Sequence, residues 1–478
     1  MAPQNQQKQP AEGKTYFYLI YGLVVLYAVC YQLQSPIEPF LIDRLVTSND
    51  TDPASSSSVT SQQTYGNLQT VFNICQMIGS LLFGTILDTF GIRVGFLVNF
   101  LACASSYYLL SEATSIEYLY ASKIPGMFMA GFLVAQSACL KGIQLSSSEQ
   151  KQQQQQQRME VLGKLTASYT VGATIGPTIG GILGASGDYY LGAKLAYFGS
   201  LLCAALAWFG LPSSMDLPSS NVSKEENNEN QDSKGKWSFL GRYIQAIQIS
   251  GMFLSIKAIT SVANSIASTV RPLILKNQLG LSERGLGLFM SITFSVGGIV
   301  NAFGLGTLSR LLGSDYSSNG TVRHVNGNGK VQDKKMQGST RFVVKNSIMG
   351  MCLLYAILSL TYSSLGIISL HALVDVTGLS FLKSLPYIVL TLFLSVLQYV
   401  LSTAITAETT SMVPKEIRGT MISLEHSIFS APRIIAPSMG VAIYGRGDIA
   451  GVCMSCSLIF LSVLFFWSKV IQRNKAGN

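Results

Sequence analysis

Gly84-Thr-Ile-Leu-Asp-Thr-Phe-Gly-Ile-Arg93 closes one long apolar run, residues 68–87, and opens the next, residues 94–110. A second stretch, Gly306-Thr-Leu-Ser-Arg-Leu-Leu-Gly313, again follows an apolar run, residues 286–305. Both share the framework Gly-Thr-x-x-charged-x-x-Gly, with Asp88 in the first copy replaced by Arg310 in the second. A charged turn between membrane-length helices, repeated in two halves of a chain, marks a duplicated helical bundle. Bundles duplicated in this way build secondary transporters.

Composition leads to the same class. The 478 residues are 48% hydrophobic and only 12% charged, whereas soluble domains carry about 25% charged residues. That leaves too little polar surface for a water-facing protein, so an integral membrane protein is expected. The net charge of +9 suggests a nucleic-acid partner until its distribution is considered. Roughly two-thirds of the 33 Lys and Arg flank one face of the spans found below, which reads as membrane orientation.

A bilayer span needs about 20 apolar residues. On that scale the first half gives spans near 16–40, 66–87, 94–111, 118–140, 161–185 and 192–211. The second half gives 244–270, 285–305, 342–362, 386–407, 421–444 and 450–468. The expected fold is an all-α membrane protein of about twelve transmembrane helices in two pseudo-symmetric six-helix bundles. The expected organisation is a cytosolic tail (1–15), a bundle (16–211), a cytosolic linker (212–243), a second bundle (244–468) and a cytosolic tail (469–478). The first apolar run is too long for a cleaved signal and is expected to remain as a span.

Residues 43–64 read as a non-cytoplasmic loop containing the sequon Asn49-Asp50-Thr51, and Asn221-Val-Ser lies in the linker. The Gln152–Gln157 tract and the Gly/Asn/Lys-rich residues 314–340 read as disordered cytosolic insertions. All eight cysteines fall in apolar runs. The Cys453-Met-Ser-Cys456 spacing lies in a hydrophobic helix without His nearby, so buried thiols are expected rather than a metal site.

Gly84–Arg93 resembles the loop motif Gly-x-x-x-Asp-x-x-Gly-x-Arg of the major facilitator superfamily. The resemblance implies a conformational latch built on Gly84, Asp88, Gly91 and Arg93, with Asp88 against the N-terminus of the eleventh helix near Lys415 and Arg418. A carboxylate in that position gains roughly 0.3–1 kcal/mol. The second copy, Gly306, Arg310 and Gly313, would set Arg310 near the start of the fifth helix, where Glu160 compensates it. Gly172-Ala-Thr-Ile-Gly176-Pro177-Thr-Ile-Gly180-Gly181 resembles the fifth-helix signature of the family's proton-coupled drug antiporters. By itself the small-residue spacing also fits close helix packing, with a bend at Pro177.

Ionisable residues within spans are functional candidates. They are Glu38 near the outer end of the first span, Lys123 at the start of the fourth, and Lys257 halfway along the seventh. Glu425 and His426 fall near the mouth of the eleventh, with Arg433 about two turns deeper. Glu38 and Lys123 are close enough to an interface to snorkel instead. Lys257 and Arg433 read as a cationic pair suited to an anionic group, or as partners in a carboxylate switch with Glu425.

Residues 65–72, 121–126, 253–257 and 419–421, with Arg433-x-x-x-Pro437, are similar to the organic-cation-transporter-like branch of solute carrier family 22. This resemblance implies exchange of an organic cation or amphiphile against protons, by a monomer with both termini cytosolic. Its implied partners are a small-molecule substrate, protons and lipid, with no nucleic acid and no cofactor. A proton-independent uniporter and a non-transporting scaffold or receptor remain as alternatives, and no catalytic constellation suggests an enzyme.

Overall fold

The computed structural model describes residues 12–49, 57–146, 151–212, 235–300, 331–364, 366–368, 380–413, 421, 424–425, 428 and 431–476. Among these the regular elements are all helical. In chain order they are α1 (Glu12–Leu33), α2 (Glu38–Asn49), α3 (Ser57–Phe90), α4 (Ile92–Ser111), α5 (Ile116–Lys123), α6 (Gly131–Ser146), α7 (Lys151–Gly184), α8 (Leu191–Gly210), α9 (Gly235–Leu273), α10 (Glu283–Ile299), α11 (Val331–Thr361), α12 (Leu385–Met412) and α13 (Pro432–Ala476). α13 is broken at Asp448, whose backbone is non-helical (φ 51°, ψ −152°).

Eight helical stretches among the described residues are long and apolar enough to cross a membrane. The expected second, fifth and eighth spans, within α3, α7 and α10, are not among them. Of these, α7 is rich in Gly, Ser and Thr, which lowers its mean hydropathy. The eleventh and twelfth spans are counted together as the single stretch Pro432–Ser468.

Several expectations are corrected. The first expected span is two helices, because Pro36 has no N–H to donate and disfavours helical backbone at Ser35. The fourth breaks after Lys123 into the 3-10 turn Ile124–Phe128, which contains Pro125 and Gly126, before α6 resumes. Residues 43–64 are largely helical, since α2 runs to Asn49 and α3 starts at Ser57. The Gln tract is helical within α7, consistent with the good helix propensity of Gln. Residues 331–340 belong to α11.

The chain divides into two compact units. The first comprises residues 1–45, 74–231 and 282–295, and the second 46–73, 232–281 and 296–478. Within the first, α1 packs on α7 and α8, and α4 packs on α8. Its core is aromatic, with Phe83, Phe96 and Phe100 at most 1% exposed. The Phe96 and Phe100 rings stack at 5.7 Å. Within the second, α9 and α11 pack on α13, and α11 packs on α12.

Close helix approach in the first unit depends on the α7 glycines. A methyl group at Gly172 would overlap the Val25 carbonyl oxygen, and one at Gly180 the Leu33 carbonyl oxygen, both on α1. On another face of α7, Gly181 lies against the Glu283 backbone, and Gly287 of α10 against the Pro177 carbonyl. Thr178 also donates to Ser291 at 2.7 Å. In the second unit the start of α3 lies along α13, where Gly66 meets Val441 and Pro437 and the Thr70 and Ser438 hydroxyls are 3.0 Å apart.

Candidate functional site: two buried lysine–carboxylate pairs

The break at Pro36 makes Glu38 the first residue of α2, and the break at Pro125 makes Lys123 the last of α5. Lys123 Nζ lies 2.6 Å from Glu38 Oε1, with side chains 13% and 9% exposed. Each lysine or carboxylate of such a pair, left alone, would be a buried charge facing an apolar medium. Together they neutralise one another. The sequence singled out both residues; their pairing is a fact of packing.

The second unit holds a more enclosed pair. Lys257 on α9 lies 2.5 Å from Glu425 Oε2, and the glutamate side chain is only 4% exposed. Lys257 Nζ also donates to Thr406 Oγ1 at 2.9 Å, and that hydroxyl donates to Glu425 Oε2 at 2.8 Å. The Thr409 hydroxyl donates to Glu425 Oε1. Both threonines are on α12, so this network ties α9, α12 and the helical residues Leu424 and Glu425 together. An apolar cluster including Ala246, Leu254, Val413 and Met421 lies in the same unit. Lys257 is therefore not half of a free cationic pair, and Arg433 lies exposed on α13.

A third ion pair was not anticipated. Arg341 Nε donates to Glu408 Oε1 at 2.6 Å, and the Glu408 side chain is 1% exposed. The Arg341 guanidinium also sits 5.9 Å from the Phe253 ring centroid. The expected tenth span stopped at residue 407, one short of Glu408, whereas α12 runs to Met412. A helix-period reading carried one turn further would have included it.

Around the first glycine motif, Gly91 has φ 85° and separates α3 from α4, as a sharp reversal requires. Arg93 Nη2 donates to the Trp208 carbonyl at 2.5 Å, with the guanidinium 4.9 Å from the indole centroid. A cation is thus placed at the C-terminal end of α8, where the helix dipole favours it. Gly84 and Asp88 lie on the last turns of α3, but their side-chain surroundings fall outside the described residues, as do those of Glu160. Lys415, Arg418 and His426, and all of Gly306, Arg310 and Gly313, also lie outside them.

Long apolar helices and close helix contacts at small residues are those of a polytopic membrane protein. Residues 20–374 match the Major Facilitator Superfamily, and the chain belongs to that family. It is 30% identical to human solute carrier family 67 member A1 over 45% of this chain and 47% of the human protein. It is 22% identical to rat solute carrier family 22 member 18, covering 95% of this chain and 94% of the rat protein. The chain thus spans about half the length of the human relative in that alignment. Among solved structures, a variant of the nucleoside transporter NupG aligns with TM-score 0.63 at 12% identity, over 94% of this chain and 99% of that one. The human organic anion transporter MFSD10 (TETRAN) aligns with TM-score 0.53 at 14% identity, over 96% and 99%. These structural likenesses support the major facilitator fold.

Proposed function

We propose that this chain is a secondary active transporter that exchanges a small amphiphilic organic solute for protons by alternating access. The observation that carries this reading is the Lys257–Glu425 pair with its two threonine donors. A proton on Glu425 cancels the carboxylate charge and leaves Lys257 as an unmatched buried cation. That form is stable only if the surrounding helices rearrange to hydrate the lysine or bring it another anion. Protonation is thereby tied to movement of α9 against α12, which is what coupling needs. Glu38 and Lys123 supply the same chemistry in the first unit.

The substrate implied by resemblance is an organic cation or amphiphile. Neutralisation of Lys257 by Glu425 removes a positive charge that would oppose a cation. On this reading two six-helix bundles, 16–211 and 244–468, are joined by a cytosolic linker, and the protein acts as a monomer with both termini cytosolic. Asp88 and Arg310 act as oppositely charged latches, the second facing Glu160.

The test is flux into vesicles reconstituted with the full-length protein, with and without an imposed pH gradient. Solute uptake driven by an outward proton gradient, and lost in Glu425→Gln, is expected. Flux indifferent to the gradient would replace antiport by uniport. No flux of any organic solute would favour a scaffold or receptor.

A further inference from the structure

The helix face that carries Lys257 repeats at Asn264 and Arg271, each seven residues on along α9. Seven residues are close to two full turns, so the three side chains form one polar stripe roughly 20 Å long. Lys257 is satisfied by Glu425 and Thr406. Its two companions are not: Asn264 Oδ1 and Arg271 Nε are buried without a hydrogen-bond partner among the described residues. Nor does any described carboxylate pair with the Arg271 guanidinium. Tyr355 of α11 and Tyr387 and Tyr399 of α12 belong to the same unit. Tyr355 and Tyr387 are each 4% exposed.

Guanidinium stays charged at any physiological pH. A cation in an apolar helix bundle is costly, and such residues mark substrate or ion pathways. Among the described residues no carboxylate answers this one. We propose that Arg271 is an anion-binding subsite that receives the carboxylate or sulfonate of an amphiphilic organic substrate. Its planar fork suits two parallel hydrogen bonds to such a group. Asn264 Oδ1 accepts a hydrogen bond from an amide, hydroxyl or ammonium donor of the same molecule, about 10 Å along the stripe. The assignment rests on the chain being an organic-solute transporter and is independent of proton coupling.

The test uses purified full-length protein and four probes: benzoate, benzenesulfonate, benzyltrimethylammonium and inorganic sulfate. Thermal unfolding is followed against probe concentration. Benzoate and benzenesulfonate should raise the midpoint, the ammonium should not, and Arg271→Gln should weaken benzoate binding about tenfold or more. Arg271→Lys should retain part of it. No benzoate shift in the wild type, unchanged binding in Arg271→Gln, or sulfate acting as well as benzoate would each overturn the assignment. Should Arg271→Gln fail to fold, phenylglyoxal labelling of Arg271 in the wild type provides the second reading. Benzoate should slow it, and unaltered labelling would overturn the subsite. Benzoate binding with gradient-indifferent flux would sink proton coupling alone; gradient-driven flux without benzoate binding would sink the subsite alone.

Discussion

Lys257 Nζ and Glu425 Oε2 lie 2.5 Å apart, although 168 residues separate them in sequence. Among the described residues neither has a second ionic partner, and two threonine hydroxyls donate to the carboxylate. Breaking such a pair costs more than removing it. Lys257→Met alone should therefore destabilise the protein by about 3–5 kcal/mol, since an unpaired buried carboxylate remains. Combining it with Glu425→Gln should recover most of the loss. Thermal unfolding of the three variants in detergent checks this, and a double variant no more stable than Lys257→Met would refute it.

The Glu38–Lys123 pair admits a different check. Exchanging the charges, Glu38→Lys with Lys123→Glu, should restore the expression and monodisperse elution that either single change reduces. Size-exclusion profiles would show it. Equal damage in the exchanged variant would mean that the helix termini at Pro36 and Pro125, rather than the charges, decide the site.

Packing of α7 on α1 is testable at a single carbon. Gly180→Ala should cost roughly 1–3 kcal/mol, because its methyl overlaps the Leu33 carbonyl oxygen. Gly163→Ala, on the same helix with nothing within 4 Å, should be neutral or slightly stabilising. A comparable loss at both positions, measured by thermal midpoint, would contradict the packing argument.

The latch proposal concerns Arg310 and Glu160. Arg310→Glu should lower transport, and adding Glu160→Arg should bring it back. Vesicle flux measures both, and failure to recover would remove the charge-swapped latch.

For Arg341 and Glu408, the asymmetry of burial sets the outcome. Arg341→Ala removes the ion-pair partner of a carboxylate whose side chain is 1% exposed, whereas Glu408→Gln leaves a half-exposed guanidinium that water can serve. The arginine change should be the more damaging to stability by about 1–2 kcal/mol. The reverse order in thermal unfolding would show that Glu408 is protonated rather than paired.

Much of this molecule was legible in its apolar runs. Helices such as α4 and α8 follow directly from stretches that must avoid water, and Lys257 and Glu425 stood out because charge is scarce there. The helix breaks were less legible. Pro36 and Pro125 are visible in the sequence, yet an apolar count runs straight through both. Arg271 and Glu408 were missed for a related reason, since each lies one residue beyond a span whose edge hydropathy blurs.

Hydropathy and the repeated glycine motifs determined the class, because burial of apolar side chains in lipid is a property of local composition. Which charges meet was decided only by the tertiary structure. Glu38 finds Lys123 because packing brings α2 to the end of α5, and Glu425 finds Lys257 where both meet Thr406 of α12. Packing of that kind depends on contacts between residues far apart in the chain, which no local pattern encodes.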